Sequence, residues 1–330
     1  MKIDEIYYRV LVRLKGFRLR QWEKPHYFKT YPASYHKGKN DKREKSELYM
    51  TERVSYGAGI GHQLANWIAG YWFARYFDVK YAYSPFTSSA VPFRPNRWDY
   101  ALGFGEGEIT AEQLLKAGYK KVLLPYFDEK DGSRVSEIKR IIDSYAGEKV
   151  VFYLEADQFY FDQFGVMDDL KYKFFSAPAR KEDKLIYDNK AFNIAIHIRR
   201  GDIVQTGDKR NENLAMRYQG SEYFVNALDT ALEYLKDKKN IHIYLFSQGK
   251  IEDYAEFSRF ENLHVCLNMG AIDSFIHMAY ADALITSKSS FSYKPALLNR
   301  GIKFCPADFW HGYPDCKDWI LLNEQGRLIQ

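Results

Sequence analysis

Cysteine is scarce in this sequence, and several short motifs that mark common binding sites are missing. Only Cys266, Cys305 and Cys316 are present, an odd number at wide spacing without a C-x-x-C pair. This pattern argues against a disulfide framework or a zinc ribbon and favours a reducing compartment. No D-x-D, no G-x-x-x-x-G-K-[ST] and no group of His, Cys and Asp with metal-ligand spacing occurs. P-loop phosphoryl transfer and a metal site are therefore unsupported.

Long apolar runs are absent as well. No stretch approaches the roughly 18 apolar residues that a membrane span needs, and the mean hydropathy is −0.48. The first residues lack the charged, apolar and small-residue order of a secretion signal. Together with the cysteine pattern, this predicts a cytoplasmic protein. The 330 residues, 46% apolar and 28% charged, suffice for two globular domains.

Aromatic residues, in contrast, are plentiful: 27 Tyr, 23 Phe and 6 Trp make up 17% of the chain. A large apolar core accounts for most of them. Tyr and Trp also offer flat apolar faces with a polar group, which suits stacking on carbohydrates or bases. Composition does not separate these two uses.

Positive charge is concentrated at the start of the chain. Residues 1–45 hold 13 Lys and Arg against 5 Asp and Glu, whereas the whole chain has 48 against 43. Apolar residues at three- and four-residue spacing predict a basic amphipathic helix within residues 1–22. Such a helix either lies in an anionic membrane surface or packs its apolar face on the protein's own body. No nucleic-acid-binding module accompanies the charge, so nucleic acid is not expected as a partner.

Alternating strand and helix patterns predict an α/β fold with parallel sheets covered on both faces. The helix patterns lie at 64–77, 111–117, 134–145, 221–236, 273–280 and 290–299, and the strand patterns at 79–83, 121–125, 149–154, 192–198, 241–247, 263–267 and 283–287. Residues 84–108 are rich in Pro and Gly and are expected to form a long loop. We predict a basic arm and linker at 1–46, an N-terminal α/β domain at 47–185 and a C-terminal α/β domain at 186–330, with a cleft between the domains.

The sequence HIRRGD at 197–202 directly follows a strongly apolar strand pattern. Ligands of open α/β sheets bind beyond the carboxyl ends of the strands, and arginine offers a planar fork of donors suited to phosphate oxygens. Either one arginine points at a diphosphate while the other pairs with Asp202, or the motif holds a structural Arg–Asp pair and a solvated arginine. An RGD adhesion role would require an exposed extracellular loop, which does not fit a segment that follows a core strand.

A second motif is the serine-rich turn SKSSFS at 287–292, between a strand pattern and a helix pattern. A helix N-terminus presents free N–H groups and the positive end of a dipole, so it readily binds anions. The hydroxyl groups of Ser287, Ser289, Ser290 and Ser292 would add donors to a phosphate. N-capping alone needs one serine, so four in this turn favour anion binding.

A glycine-rich segment, GAGIGHQ at 57–63, precedes the first helix pattern. Gly57, Gly59 and Gly61 would let the backbone approach a ligand closely. The spacing is not G-x-G-x-x-G, and no strong strand pattern stands before it, so a dinucleotide fingerprint is incomplete. Taken alone, the segment does not identify a ligand.

In this order, the three motifs resemble those of the GDP-fucose-dependent fucosyltransferases. They are closest to the α-1,2-fucosyltransferase family, which has G-x-G-N-Q, H-x-R-R-G-D and N-S-S-F-S; the α-1,6- and O-fucosyltransferases share the arginine motif. The resemblance rests on three short patches in the correct order and separation. It implies a GT-B fold, in which two Rossmann-like domains face a cleft. It also implies an inverting, metal-independent transfer from a GDP-sugar, with no cofactor.

The resemblance further implies roles for individual residues. Arg199 would hold the β-phosphate and stabilise the leaving GDP, and Arg200 and Asp202 would organise the loop. The remaining donor contacts would come from His197 and Asp273 for the guanine and the ribose and, around the diphosphate, from Ser287, Ser289, Ser290 and Phe291.

Two positions depart from the family pattern. His62, which precedes Gln63, replaces the asparagine of G-x-G-N-Q, and Tyr293 and Lys294 replace the two tryptophans after S-S-F-S. Both positions are expected to face the acceptor or the sugar, so the departures bear on which acceptor and which donor sugar are used. His62 would act as a base or bind the leaving phosphate, or else face solvent at the start of a helix.

An inverting transfer benefits from a general base that deprotonates the acceptor hydroxyl. The α-1,6 enzymes carry a carboxylate a few residues after the arginine motif. Asp208 stands one residue past that position, with Glu212 behind it, and each is either a candidate base or a surface charge. Asp208 is the first candidate and His62 the second.

Three functions fit these motifs. The first is transfer of L-fucose from GDP-fucose to a glycan hydroxyl, the second is the same chemistry with another nucleotide sugar, and the third is non-catalytic binding of a glycan or nucleotide. A lipid-linked acceptor at the inner face of a membrane, as in O-antigen or capsule assembly, would account for the basic arm.

Overall fold

The chain divides into two compact units, Met1–Arg180 and Lys181–Gln330, in the computed structural model. The structure describes residues 10, 14, 46–55, 58–86, 97–154, 163–201, 203 and 216–329. The predicted amphipathic helix lies outside these residues except for Val10 and Leu14, which are helical and exposed. None of the helices in the described part of the chain is both long enough and apolar enough to cross a membrane.

The first unit contains a parallel sheet of four strands. Its elements are β1 (Leu48–Glu52), α1 (Ile60–Tyr76), β2 (Lys80–Tyr81), α2 (Arg97–Leu102), α3 (Ala111–Lys116), β3 (Lys120–Leu123), α4 (Gly132–Asp143), β4 (Val150–Leu154) and α5 (Met167–Ser176). The strand order is β2-β1-β4-β3, and each neighbouring pair is parallel. The two central strands, β1 and β4, are almost entirely buried, as expected of a sheet that is covered on both faces.

The second unit contains a parallel sheet of six strands. Its elements are β5 (Phe192–His197), α6 (Ser221–Tyr234), β6 (Ile241–Ser247), β7 (Leu263–Leu267), α7 (Ala271–Tyr280), β8 (Ala283–Ile285), α8 (Ser290–Leu298), β9 (Ile302–Pro306) and β10 (Trp319–Leu322). The strand order is β10-β9-β8-β5-β6-β7. From the β7 edge, this is the 3-2-1-4-5-6 order of a doubly wound Rossmann sheet. The predicted α/β class with parallel sheets is confirmed.

Several elements are not evident in the sequence pattern. β1 stands before the glycine-rich segment, so the expectation that no strong strand precedes it is wrong; its sequence, LYMTE, is mixed in polarity, yet four of its five residues are buried. The expected long loop at 84–108 contains α2. β9 includes a fully buried lysine, Lys303, whose ammonium group pairs with Asp318 and donates to the carbonyl oxygen of Gly301 at 2.9 Å. The ion pair and the hydrogen bond of Lys303 make its burial in β9 possible, so this strand lacks the apolar pattern from which a strand is predicted.

A buried acid stands at the carboxyl end of β1. Glu52 is 1% exposed, and the hydroxyl of Tyr81 donates to its Oε2 at 2.8 Å. Its Oε1 is buried without a hydrogen-bond partner, and the carboxyl group packs against Gly70 of α1, where even a Cβ would be too close. Burial raises the pKa of Glu52 from its ordinary value of 4.5 to about 8, because the charged form loses its hydration.

The raised pKa of Glu52 predicts that its proton stabilises the fold. Between the unfolded pKa near 4.5 and the folded pKa of about 8, the native state holds a proton that the unfolded state has released. The free energy of unfolding therefore falls as the pH rises through this window. The side chain of Glu52→Gln stays neutral at every pH. In this variant the free energy of unfolding should therefore lack this decrease, which is on the order of 3 kcal/mol between about pH 5 and pH 8.5. Urea denaturation of both proteins at the two pH values measures it.

The matched control is Glu112→Gln, which removes a carboxyl group that is 73% exposed on α3 and leaves the wild-type dependence intact. An equal loss of stability with rising pH in wild type and in Glu52→Gln would contradict the prediction.

Candidate functional site

The carboxyl ends of β5 and β8 lie side by side at the centre of the second sheet. Ile196 and Ile285 are paired in register, so the residues that follow them emerge next to each other. His197 Nδ1 lies 2.9 Å from Ser287 Oγ, and both residues are buried. Strands are added in opposite directions on the two sides of this point, which is where open α/β sheets bind their ligands. The structure thus brings the arginine motif and the serine-rich turn together.

The imidazole of His197 is neutral at this site. Burial, with smaller contributions from Arg199 and Arg200, lowers the pKa of His197 from 6.5 to about 3. The ring lies beside Phe291, with ring centroids 5.4 Å apart. One ring nitrogen of a neutral imidazole donates and the other accepts. His197 is therefore suited to bind an uncharged polar group, whereas Arg199 and Arg200 carry the charge that an anion would need.

Arg199 and Arg200 lie two and three residues after the end of β5 and are partly buried. The Nη1 of Arg200 donates to the carbonyl oxygens of Arg199 and Gln219 at 2.9 and 3.0 Å, and its guanidinium carbon lies 5.2 Å from the ring centroid of Tyr218. Gly201 comes next with a φ of +76°, a left-handed conformation that favours glycine. These contacts give Arg200 an organising function in the turn.

The serine-rich turn is held by its own hydroxyl groups. Ser289 is the N-cap of α8 and accepts a hydrogen bond from a backbone N–H of the first turn at 3.2 Å. Ser292 is fully buried and bonded to Ser287, and Ser290 Oγ lies 2.9 Å from His311 Nε2. All four hydroxyls have partners in the turn or in the neighbouring His197 and His311, so these contacts explain why the turn has more serines than capping needs. For an anion, the turn provides the N-terminal end of α8.

Tyr293 and Lys294 do not face outward as expected. They are 1% and 2% exposed, so the expectation that this position faces the sugar or the acceptor is wrong. The ring of Tyr293 stacks on that of His311 at 4.9 Å between centroids, and its hydroxyl donates to the carbonyl oxygen of Gly312 at 2.9 Å. Through these two contacts, Tyr293 anchors the loop after β9. Burial also lowers the pKa of Lys294 to about 7.

In the first unit, the glycine-rich segment leads into α1. Gly59 is the N-cap of this helix, without a side-chain cap, and a Cβ there would meet no atom within 4 Å. Gln63 is buried, and its Nε2 donates to the carbonyl oxygen of Ala58 at 2.8 Å. His62 Nε2 lies 3.2 Å from Ser55 Oγ. Gln63 thus fixes the segment from inside, and His62 binds the chain just before it.

The other predicted site residues are distributed as follows. Asp273 is exposed in the first turn of α7, which follows β7 at the same edge of the second sheet. Gly61 is buried in the first turn of α1. Gly57, Asp202 and Asp208 lie outside the described residues, so their roles stay predictions. Within the described ranges, no group of three or more His, Cys, Asp or Glu side chains is placed to hold a metal ion.

Two segments beside the site are not indicated by the sequence patterns. One precedes α6, where Oε1 of the buried Gln219 accepts a hydrogen bond from the backbone N–H of Lys288 at 2.8 Å. The other is the loop after β9, which carries Phe309, Trp310 and His311. The run of three rings was the available signal for the loop, but β9, which positions it, was itself not predicted.

No protein-family model and no curated protein matches the chain, whereas several solved structures do. NodZ α-1,6-fucosyltransferase soaked with GDP-fucose is 12% identical with a TM-score of 0.48, over 79% of this chain and 95% of that one. POFUT1 in complex with GDP-fucose is 11% identical with a TM-score of 0.48, over 78% and 97%. Fucosyltransferase NodZ from Bradyrhizobium is 11% identical with a TM-score of 0.45, over 77% and 94%. At this identity the likeness concerns the fold alone.

The low pKa of His197 predicts that its imidazole does not titrate in the neutral range. Its ¹⁵N chemical shifts should keep neutral-imidazole values from about pH 8 to about pH 5, whereas an unperturbed histidine is mostly protonated at the lower value. A two-dimensional ¹H–¹⁵N spectrum of the imidazoles measures this, and His197→Asn assigns the signal. A titration midpoint near 6.5 would contradict the buried, neutral state.

Proposed function

We propose that this protein is a glycosyltransferase that moves L-fucose from GDP-fucose to a hydroxyl group of a glycan, with inversion and without a metal ion. The observation that carries the proposal is the position of the HIRRGD motif at the end of β5, where His197 is hydrogen-bonded to the serine turn. A diphosphate at this point meets guanidinium groups and a helix N-terminus together. The motifs that meet there are the ones that resemble the GDP-fucose-dependent fucosyltransferases.

Charge stabilisation at the leaving group is the main task of the site. The bond between the sugar's anomeric carbon and the β-phosphate oxygen breaks while the acceptor oxygen attacks from the opposite face. Negative charge develops on the β-phosphate, and donors that are already in place stabilise it without reorganisation. Arg199 supplies a planar fork of N–H groups for this charge, and α8 adds its N-terminal dipole. Since the sequence has no D-x-D, these groups take the place of a metal ion.

The proton of the acceptor hydroxyl passes to a general base. We assign this role to Asp208 first and to His62 second. The variants Asp208→Asn and His62→Gln separate the two candidates. The variant that lacks the general base loses turnover and keeps its affinity for GDP, because the base acts on the acceptor and not on the nucleotide.

The basic arm supports the proposal that the reaction takes place at a membrane surface. Residues 1–45 carry 13 basic against 5 acidic side chains, and the apolar Val10 and Leu14 are exposed. An arm of this kind binds anionic lipid, so the proposed acceptor is a lipid-linked glycan of surface polysaccharide assembly, O-antigen or capsule, at the cytoplasmic face of a membrane.

A different donor sugar is the second candidate function. It is favoured by the sequence at 293 and 294, where Tyr293 and Lys294 replace two tryptophans of the α-1,2 family. The nucleotide part of the site is the same in both candidates, and competition among GDP-sugars separates them.

The proposal predicts metal-free binding of GDP that depends on Arg199. In EDTA, wild type should bind GDP and GDP-fucose, and Arg199→Ala should lose about 10- to 100-fold in affinity for both, as expected for charge-assisted hydrogen bonds to a phosphate. Arg199→Lys should fall between them, since it keeps the charge and loses the fork. Titration calorimetry with GDP, GDP-fucose, GDP-mannose, UDP and UDP-glucose measures this.

The control is Arg259→Ala, which removes an exposed arginine paired with Asp229 and keeps wild-type affinity. Tight UDP binding, or GDP binding only with an added divalent ion, would contradict the assignment. Binding without turnover on any glycan acceptor would leave the non-catalytic alternative.

A further inference from the structure

The loop after β9 presents one exposed ring beside the candidate site. Trp310 is 40% exposed, whereas its neighbours Phe309 and His311 are 4% and 8% exposed. Its ring centroid lies 4.3 Å from that of Phe309 and 5.8 Å from that of His311. The exposed indole therefore rests on a buried aromatic base, and its position is fixed by packing.

Hydrogen bonds attach this loop to the serine turn and to α8. His311 reaches Ser290 Oγ at 2.9 Å, the hydroxyl of Tyr293 donates to the carbonyl oxygen of Gly312 at 2.9 Å, and that of Tyr313 donates to the carbonyl oxygen of Pro306 at 2.6 Å. Because the loop that carries Trp310 is held in place, it loses little conformational entropy on binding a ligand.

The guanidinium group of Arg217 lies beside the ring of Trp310. The guanidinium carbon of Arg217 lies 5.2 Å from the ring centroid of Trp310, within cation–π range. Two residues later, Gln219 accepts a hydrogen bond from Lys288 in the serine turn. The Arg217–Trp310 pair is thus attached from both sides to the segment that begins α8.

The order of strands places the candidate binding groups in a row along one edge of the second sheet. Along the edge, the sequence is β7, β6, β5, β8 and β9, with Asp273 beyond β7, Arg199 beyond β5, the serine turn beyond β8 and Trp310 beyond β9. Four strand spacings of about 4.8 Å place the two ends about 19 Å apart. With the nucleoside toward Asp273, the role that the resemblance implies for this residue, and the diphosphate between Arg199 and α8, the sugar would come to the Trp310 end.

We propose that Trp310 and Arg217 form the hexose subsite, an inference that rests on the proposed function. The indole packs against the apolar C–H face and methyl group of a 6-deoxyhexose, and Arg217 donates hydrogen bonds to its hydroxyl groups. Tyr293 and Lys294 are buried, so α8 presents no ring to a sugar there, and the next loop supplies one.

The test compares GDP with GDP-fucose on the full-length protein. In Trp310→Ala, GDP affinity stays within about two-fold of wild type while GDP-fucose affinity falls about 5- to 10-fold, the effect expected of one lost aromatic contact. Trp310→Phe recovers part of the loss, and Arg217→Ala lowers GDP-fucose affinity alone. Titration calorimetry measures all of these, with circular dichroism as a check of folding.

Two controls bracket the result. Tyr172→Ala removes an aromatic side chain that is 74% exposed on α5, and Arg259→Ala removes a guanidinium group 4.4 Å from the ring of Phe260; both keep wild-type affinities. Parallel losses of GDP and GDP-fucose affinity in Trp310→Ala, or no loss of either, would overturn the hexose subsite while the proposed function stands. A wild type that binds no GDP would overturn both.

Discussion

The hydrogen bond between His197 and Ser287 is the contact on which the rest of the candidate site depends. It joins the end of β5 to the turn after β8 at the point where the sheet changes its direction of growth. Because the imidazole is buried and neutral, it makes this connection without requiring a counter-ion beside two arginines. The turn that carries Arg199 therefore lies beside the turn that begins α8, and these are the two segments that we propose bind a diphosphate.

Around this contact, most polar side chains hold the backbone in place. The serine hydroxyls bond within their turn and to His197 and His311. Gln219 bonds to the backbone of Lys288, and Tyr293 bonds to the loop after β9. The site thus uses neutral groups for shape. In the proposed function, ligand binding is left to guanidinium groups, to backbone N–H groups at a helix end and to an exposed ring. Such fixed donors favour a developing charge more than flexible ones do.

The sequence supports the fold class and the location of the site where its local patterns are strong. The apolar run before HIRRGD places the arginines at a strand end, and the serine turn marks the start of a helix. The sequence patterns do not predict the elements whose position depends on tertiary contacts. β9 accommodates Lys303 because Asp318 and Gly301 receive its ammonium group, and Tyr293 is buried because a distant loop covers it. Periodicity carries no information on such partners, so Trp310 and Gln219 became visible as neighbours of the site only in the structure.

The central claim is that a nucleoside diphosphate binds at the switch point of the second unit. A crystal structure of the protein grown with GDP in EDTA tests this most directly. The account predicts the β-phosphate between the guanidinium group of Arg199 and the N-terminal turn of α8, with the guanine on the β7 side of His197. GDP at the glycine-rich segment before α1, or a diphosphate away from Arg199, would contradict it.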